Sequence, residues 1–135
     1  MRTSPSAARE RVFERDRGRC AGCGRDTEDL LRRLRNLRRR RPRPEVIEEA
    51  RALALGFESA VEVCGGRTVL RIRRTLWQAD HIVPVAEGGG GCGLENLRTL
   101  CLPCHRMATA ELARRLTRLR GAARNEAVEL FIRED

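Results

Sequence analysis

The sequence predicts a small α+β domain stapled by a bound metal. Three observations predict it. First, the chain has 135 residues, of which only 3% are aromatic and none is tyrosine. One domain with a modest core is therefore expected, and a core that small calls for a supplementary staple. Second, two Cys-x-x-Cys pairs, Cys20/Cys23 and Cys101/Cys104, can supply one. Third, helical and strand periodicities share the chain around and between these pairs.

The elements follow in order. "SAARERVFERDR", 6 to 17, reads as a short helix that buries Val12 and Phe13 and stops at Gly18. "CAGCG" is a tight knuckle carrying Cys20 and Cys23, so 6 to 25 forms a helix and first knuckle. From 27 to 41 a second helix is expected, with a Thr or Asp cap and with Leu30, Leu34 and Leu37 at helical spacing. "PRP" breaks it. Pro44 opens a third helix with Val46, Ala50 and Leu53 on one face and Gly56 as its stop. The pair, 27 to 55, reads as an insertion. Residues 60 to 74 read as a β-hairpin turning at Gly65-Gly66, with Leu70 and Ile72 on an apolar face and Arg71 and Arg73 on a basic one. "LWQADHIVP" is a further strand ended by Pro84, followed by a glycine loop. From about His105 a helix carries Leu112, Leu116 and Leu119 along one side until Gly121 interrupts it. The core element group spans 76 to 120.

Six cysteines could form disulfides, but no apolar run follows the N-terminus to mark the chain for secretion. In a reducing, cytoplasmic setting Cys-x-x-Cys is metal-binding or redox-active. Two such knuckles suit a tetrahedral structural zinc on Cys20, Cys23, Cys101 and Cys104. Cys64 and Cys92 have no matching pair and are read as structural or incidental. No apolar run reaches the roughly 18 residues of a membrane span.

The formal net charge is +9 and all 28 basic residues are arginine, which points to an anionic partner. Guanidinium groups grip phosphate bidentately. The run Arg38, Arg39, Arg40 and Arg41 is either a solvated face or a nucleic-acid contact.

Only two histidines are present, His81 beside Asp80 and His105 directly after Cys104. A four-cysteine site would fix His105 at the start of the last helix. If the strand bearing Asp80 packs beside that helix, Asp80 and His105 converge. A carboxylate and an imidazole suit a divalent cation with open positions for water and phosphate. His81 points to the other side of its strand and is a candidate base.

The stretch "ADHIVPVAEGGGGCGLENLRTLCLPCHRMAT" resembles the HNH endonuclease family, whose three letters match His81, Asn96 and His105. It is similar to the HNH module of annealing helicases and to small bacterial and phage nucleases. The resemblance covers 76 to 109, and "RVFERDRGRCAGCG" extends it to the first knuckle, whereas 27 to 55 has no counterpart in it. It implies an α+β fold with a ββα-metal (HNH) finger, a four-cysteine structural zinc, a helical insertion and flanking helices, all as one nuclease domain over 1 to 135. It further implies that His81 is the general base, and that Asp80 and His105 bind a catalytic magnesium or manganese ion. Asn96 would hydrogen-bond across the loop to hold the strands and the His81 ring. Many relatives carry a lysine where this chain has Met107, and Arg98 and Arg106 are the candidates to contact phosphate in its place.

The activity so implied is hydrolysis of DNA, leaving a 5′-phosphate and a 3′-hydroxyl. The rivals are a non-catalytic zinc-stapled DNA-binding module, an RNase, and a subunit of a larger nuclease complex. No aromatic pair for base stacking is present, which favours duplex DNA.

Overall fold

The computed structural model describes residues 4–41, 43–64, 69–91 and 93–133. Among these the chain forms four α-helices and two two-stranded sheets: α1 (Pro5–Asp16), α2 (Thr27–Arg39), α3 (Pro44–Leu53), β1 (Val61–Cys64), β2 (Val69–Ile72), β3 (Trp77–His81), β4 (Leu97–Cys101) and α4 (Leu102–Arg133). The chain divides into two units, Met1–His105 and Arg106–Asp135.

Helix α1 starts where the Ser4 hydroxyl accepts from the Ala7 amide and Pro5 supplies a preset φ. It ends at Arg17, which is left-handed at φ 53 and whose N–H bonds the Phe13 carbonyl. Gly18 continues the reversal at φ 75, and a Cβ there would lie 2.8 Å from Glu28 Cγ. Asp26 caps α2 by accepting from the Glu28 and Asp29 amides, both at 3.1 Å. The acids of that first turn also complement the helix dipole. Leu30, Leu31, Leu34 and Leu37 form its buried face. The helix ends at Arg39, two residues earlier than its pattern suggests, because Arg40 already adopts an extended ψ of 156. Proline at 42 disfavours helical backbone in the residue before it. Pro44 opens α3, which buries Val46, Ile47 and Ala50.

Strands β1 and β2 pair antiparallel from Val61↔Ile72 to Cys64↔Val69. The turn expected at Gly65-Gly66 lies outside the described residues. Leu70 is buried while Arg71 and Arg73 are exposed, as the alternation predicts. Helix α2 packs on α3 and β2, and α3 on β1. Phe57, Ala60, Leu70 and Leu76 complete this core.

Strands β3 and β4 pair antiparallel, from Trp77↔Cys101 to His81↔Leu97, and α4 follows β4 without a loop. It begins at Leu102 rather than near His105, and the Leu102 amide bonds the Leu76 carbonyl at 3.1 Å. It also runs through Gly121 to Arg133. A single helical glycine costs only about 1 kcal/mol relative to alanine, and Ala122 and Ala123 favour continuation. In the second unit Leu119, Val128 and Leu130 are exposed. The whole is the α+β arrangement expected, a ββα finger beside a helical pair and a hairpin.

Helix α1 is clamped to the finger by polar contacts that the sequence did not advertise. Arg9 donates to Thr75 Oγ1 at 3.0 Å and to the Trp77 carbonyl at 3.1 Å, and its guanidinium lies 3.9 Å from the Trp77 ring centroid. Phe13 stacks on the same ring. Arg15 donates to the carbonyls of Leu94 and Leu97 at 3.0 and 2.6 Å. Thr99, fully buried, donates its hydroxyl to Asp16 Oδ2 at 2.8 Å. The Arg15 hydrogen bond, aided by Thr99 and opposed by partial burial, holds the Asp16 carboxyl below the usual carboxylate range.

A depressed carboxyl stabilises the fold above the unfolded carboxylate range, and that stability is lost as pH falls through the lower folded value. Asp16→Asn should therefore cost about 1.5 to 3 kcal/mol at pH 7, the worth of a hydrogen bond to a charged group. The gap between variant and wild type should narrow as the buffer is taken below the unfolded carboxylate value of about 3.9, for example to about pH 3. Thermal melts at the two pH values check this, and a gap independent of pH would contradict it.

Candidate metal centre and active site

The first knuckle is built by backbone bonds. The Cys20 amide bonds the Arg25 carbonyl and the Gly24 amide bonds the Cys20 carbonyl, both at 2.9 Å, while Arg19 and Asp26 bridge its base. The Ala21 amide then bonds the Thr99 carbonyl at 2.8 Å, joining this knuckle to β4. Cys101 ends β4 and Cys104 lies in the first turn of α4. The result is one cluster: a sulfur from each of Cys20, Cys23, Cys101 and Cys104, all within 4.8 Å of one another. Cys23 Sγ and Cys101 Sγ are 3.7 Å apart. A zinc tetrahedron with bonds of about 2.3 Å has edges of about 3.8 Å, so the group fits that ion. Amides of Gly22 and Cys23 point at Cys20 Sγ. Burial pushes the Cys20 thiol up, but the amides of Cys101, Cys23 and Gly22 outweigh it and bring it to about 6. Burial pushes the thiols of Cys101 and Cys104 up. Cys64 offers no described side chain, and Cys92 lies outside the described residues.

His105, next to Cys104 in α4, faces β3. Its Nε2 lies 3.9 Å from Asp80 Oδ1. That is within the roughly 4.2 Å spanned by two bonds of about 2.1 Å to one small divalent cation. Both side chains are partly exposed, His105 at 37% and Asp80 at 25%, so water and an anionic ligand could complete such a sphere. Asp80 is shared. Its other oxygen, Oδ2, lies 3.4 Å from Arg98 Nη2, across the Asp80↔Arg98 pair of the ladder. Arg98 Nε is buried and has no hydrogen-bond partner among the described residues. Arg98, expected among the phosphate contacts, is thus placed on the carboxylate. His81 pairs with Leu97 at the end of β3, one residue from Asp80 and so on the opposite face of the strand.

Asn96 is 7% exposed and ties the loop after β3. Its Oδ1 accepts from the Val83 amide at 2.8 Å, and its Nδ2 donates to the carbonyls of Val83 and Gly89, both at 3.1 Å. Its own carbonyl accepts from the Ile82 amide at 2.8 Å. Gly89 answers for one of the four loop glycines: a Cβ there would sit 1.8 Å from the Val83 carbonyl oxygen. The glycine is required by close packing of backbone, not by loop flexibility.

The arginine run is exposed at Arg38, Arg39, Arg40 and Arg41, and Arg40 is paired with Glu49 at 3.0 Å. Arg106 and Met107 are exposed on α4. Sequence reasoning missed Arg15, Asp16 and Thr99 as supports of β4, and the pairing of Arg98 with Asp80. Only strand register and the packing of α1 reveal them.

A two-stranded antiparallel sheet running directly into a helix, with an Asp-His dipeptide on the first strand and a histidine in the helix's first turn, defines a ββα-metal finger. The chain matches the family model described as HNH endonuclease over residues 62–111. More particularly, it is similar to the DNA annealing helicase and endonuclease ZRANB3. It is 35% identical to the Mus musculus protein over 120 residues, which are 89% of this chain and 11% of that protein. The Homo sapiens protein is 34% identical over 124 residues. The crystal structure of the human ZRANB3 HNH domain has a TM-score of 0.54 and 29% identity, covering 86% of this chain and 95% of that one. The chain thus spans 11% of the length of the curated relatives it matches. No helix among the described residues is long and apolar enough to cross a membrane.

Two outcomes follow from this geometry. Protein purified without added zinc should carry about one zinc per chain by elemental analysis, and Cys101→Ser should lose it together with folded structure. Because Cys101 and Cys104 must give up protons to bind, a chromophoric chelator should strip the metal faster at pH 5 than at pH 8. For the loop, Asn96→Ala leaves the Val83 amide and two carbonyls without these partners, and should cost about 2 to 3 kcal/mol. Urea denaturation measures it; a loss under about 0.5 kcal/mol, the range of an ordinary surface substitution, would contradict the pinning role.

Proposed function

We propose that the chain is a metal-dependent endonuclease that hydrolyses DNA phosphodiester bonds. The observation that carries this reading is the approach of Asp80 Oδ1 to His105 Nε2 at 3.9 Å, with His81 the next residue after Asp80. The relatives' name, DNA annealing helicase and endonuclease, supports the substrate. The arginine-rich charge of +9 supports a polyanion.

In this mechanism His81 accepts a proton from water, and the resulting hydroxide attacks phosphorus in line with the leaving 3′ oxygen. Asp80 and His105 would hold a magnesium or manganese ion, which when bound neutralises phosphate charge and favours departure of that oxygen. Asn96 keeps the loop after β3 closed, so His81 does not swing with it. The departing 3′ oxygen takes a proton from solvent and His81 returns its own to solvent, so the products are a 5′-phosphate and a 3′-hydroxyl. The zinc on Cys20, Cys23, Cys101 and Cys104 is structural.

One observation favours a second reading. Arg98 already neutralises Asp80, so the finger could be a zinc-stapled DNA-binding module with no catalytic cation. Plasmid nicking with and without magnesium or manganese separates the two, since a binding module nicks with neither.

His81→Ala should lose cleavage by roughly 10²- to 10⁴-fold, the usual worth of a general base. Manganese binding followed by electron paramagnetic resonance should be unchanged in that variant. His105→Ala and Asp80→Ala should weaken manganese binding and raise the metal concentration needed for cleavage. If His81→Ala weakens manganese binding as much as His105→Ala does, the assignment of base and ligand is wrong.

A further inference from the structure

We propose that the outer part of α4 is a self-association surface, on which a second copy of this chain lays the same helix antiparallel. Two rows of residues carry this. The first is apolar. Leu112, Leu116, Leu119, Ala123, Ala127 and Leu130 recur at steps of three and four, so they share one face of the helix. Leu112 and Leu116 are half-buried, whereas Leu119 is 62% and Leu130 64% exposed. A lone surface leucine needs no explanation, but a row at helical spacing is a face without a partner. The second row flanks the first: Glu111, Arg115, Arg118, Ala122, Glu126 and Glu129, again at steps of three and four. Its charges are segregated along the helix. Arg118 has Arg114 and Arg115 one turn before it, and Glu126 has Glu129 one turn after it. Like charges at these spacings repel. Arg115 pairs with Glu111 at 3.6 Å, but Arg118, Glu126 and Glu129 have no ion-pair partner among the described residues.

An antiparallel copy answers both rows at once. With a two-fold axis beside Ala122, residues four and seven before it meet residues four and seven after it in the second copy. Arg118 then faces Glu126, and Arg115 faces Glu129. Each pair occurs twice, so four opposite-charge pairs form. The same axis sets Leu112 and Leu116 of one copy against the Ala127–Leu130 end of the other, and Leu119 against Ala123. Gly121, Ala122 and Ala123 stand at the crossing, and a Cβ on Gly121 would meet nothing within 4 Å. Small residues there let two helix axes approach to about 8 Å. On the opposite flank Arg120 faces Arg124 of the second copy, which gives two repulsive pairs against the four attractive ones. A parallel copy instead sets every charge of the row against its like. A DNA duplex would take the arginines, but it would meet Glu126 and Glu129 and leave the leucines in water. The second copy is therefore the occupant that fits both rows.

The test is sedimentation equilibrium of the full chain across a concentration series, without DNA. The wild-type protein should show a monomer–dimer equilibrium. Glu126→Arg/Glu129→Arg and Arg115→Glu/Arg118→Glu should each weaken the dimer by about 10- to 100-fold, because four attractive pairs become repulsive. Mixed in equal amounts, the two variants restore all four pairs between them, and the heterodimer should form as tightly as the wild-type dimer. Circular dichroism should show wild-type helix content in both. Should either charge variant fold poorly, Leu119→Gln, on the exposed part of the apolar row, should still weaken the dimer. A wild-type protein that stays monomeric at every concentration overturns the inference. So does a dimer that charge reversal leaves intact, or one that mixing does not recover. A monomer whose affinity for a DNA duplex falls in Arg115→Glu/Arg118→Glu overturns it too, and assigns the surface to the duplex instead. None of these outcomes bears on the nuclease reading, which rests on other residues.

Discussion

Everything in the finger depends on two distant stretches of chain being held at one point. Cys20 and Cys23 lie near the start of the chain and Cys101 and Cys104 near the start of its last helix, yet the four sulfurs lie within 4.8 Å. The Ala21–Thr99 backbone bond makes the same junction without a metal. Because Cys104 belongs to this junction and His105 is its neighbour, the position of the histidine follows from the cluster. A core with few aromatics cannot set that position by packing alone, since its largest fully buried residues are one phenylalanine and several aliphatic side chains.

A second layer of polar contacts holds the other side of the finger. Arg9, Arg15 and Asp16 come from α1 and reach Thr75, Trp77, Leu94, Leu97 and Thr99. Strand β4 is thereby fixed on both sides, by α1 and by the first knuckle. Asn96 closes the loop between β3 and β4 through side-chain bonds to two backbone segments. A two-stranded sheet is marginal by itself, so these attachments supply what a larger sheet would obtain from further strands.

The carboxylate of Asp80 stands between two potential cationic partners. One oxygen faces Arg98 and the other His105. This division orients the carboxylate, with Oδ1 left for the helix side. The same arrangement explains why a nuclease reading and a binding-only reading both begin from Asp80, and why the metal dependence of cleavage separates them. Elsewhere, the α2–α3 pair packs on the hairpin, α2 against β2 and α3 against β1.

Much of this was legible in the sequence, because it rests on local rules. Two Cys-x-x-Cys knuckles specify a thiolate cluster by ligand geometry, and the approach of Asp80 to His105, now 3.9 Å, was expected from their places beside the strand and the second knuckle. Leucine periodicity specified α2, and alternation specified the outward arginines of β2. What the sequence by itself left open were helix ends and long-range pairs. Arg98 looked like a free cation because its partner sits across a strand pair, visible only once register places Asp80 opposite it. Gly121 looked like a break, but one glycine among alanines costs too little to end a helix. The need for glycine at 89, a close approach to the Val83 carbonyl, likewise shows only in the folded loop. The bond from Arg35 to the Arg74 carbonyl likewise exists only because α2 packs on β2. Local propensity acts within a few residues, whereas these contacts join segments that only folding brings together, and so tertiary structure alone decided them.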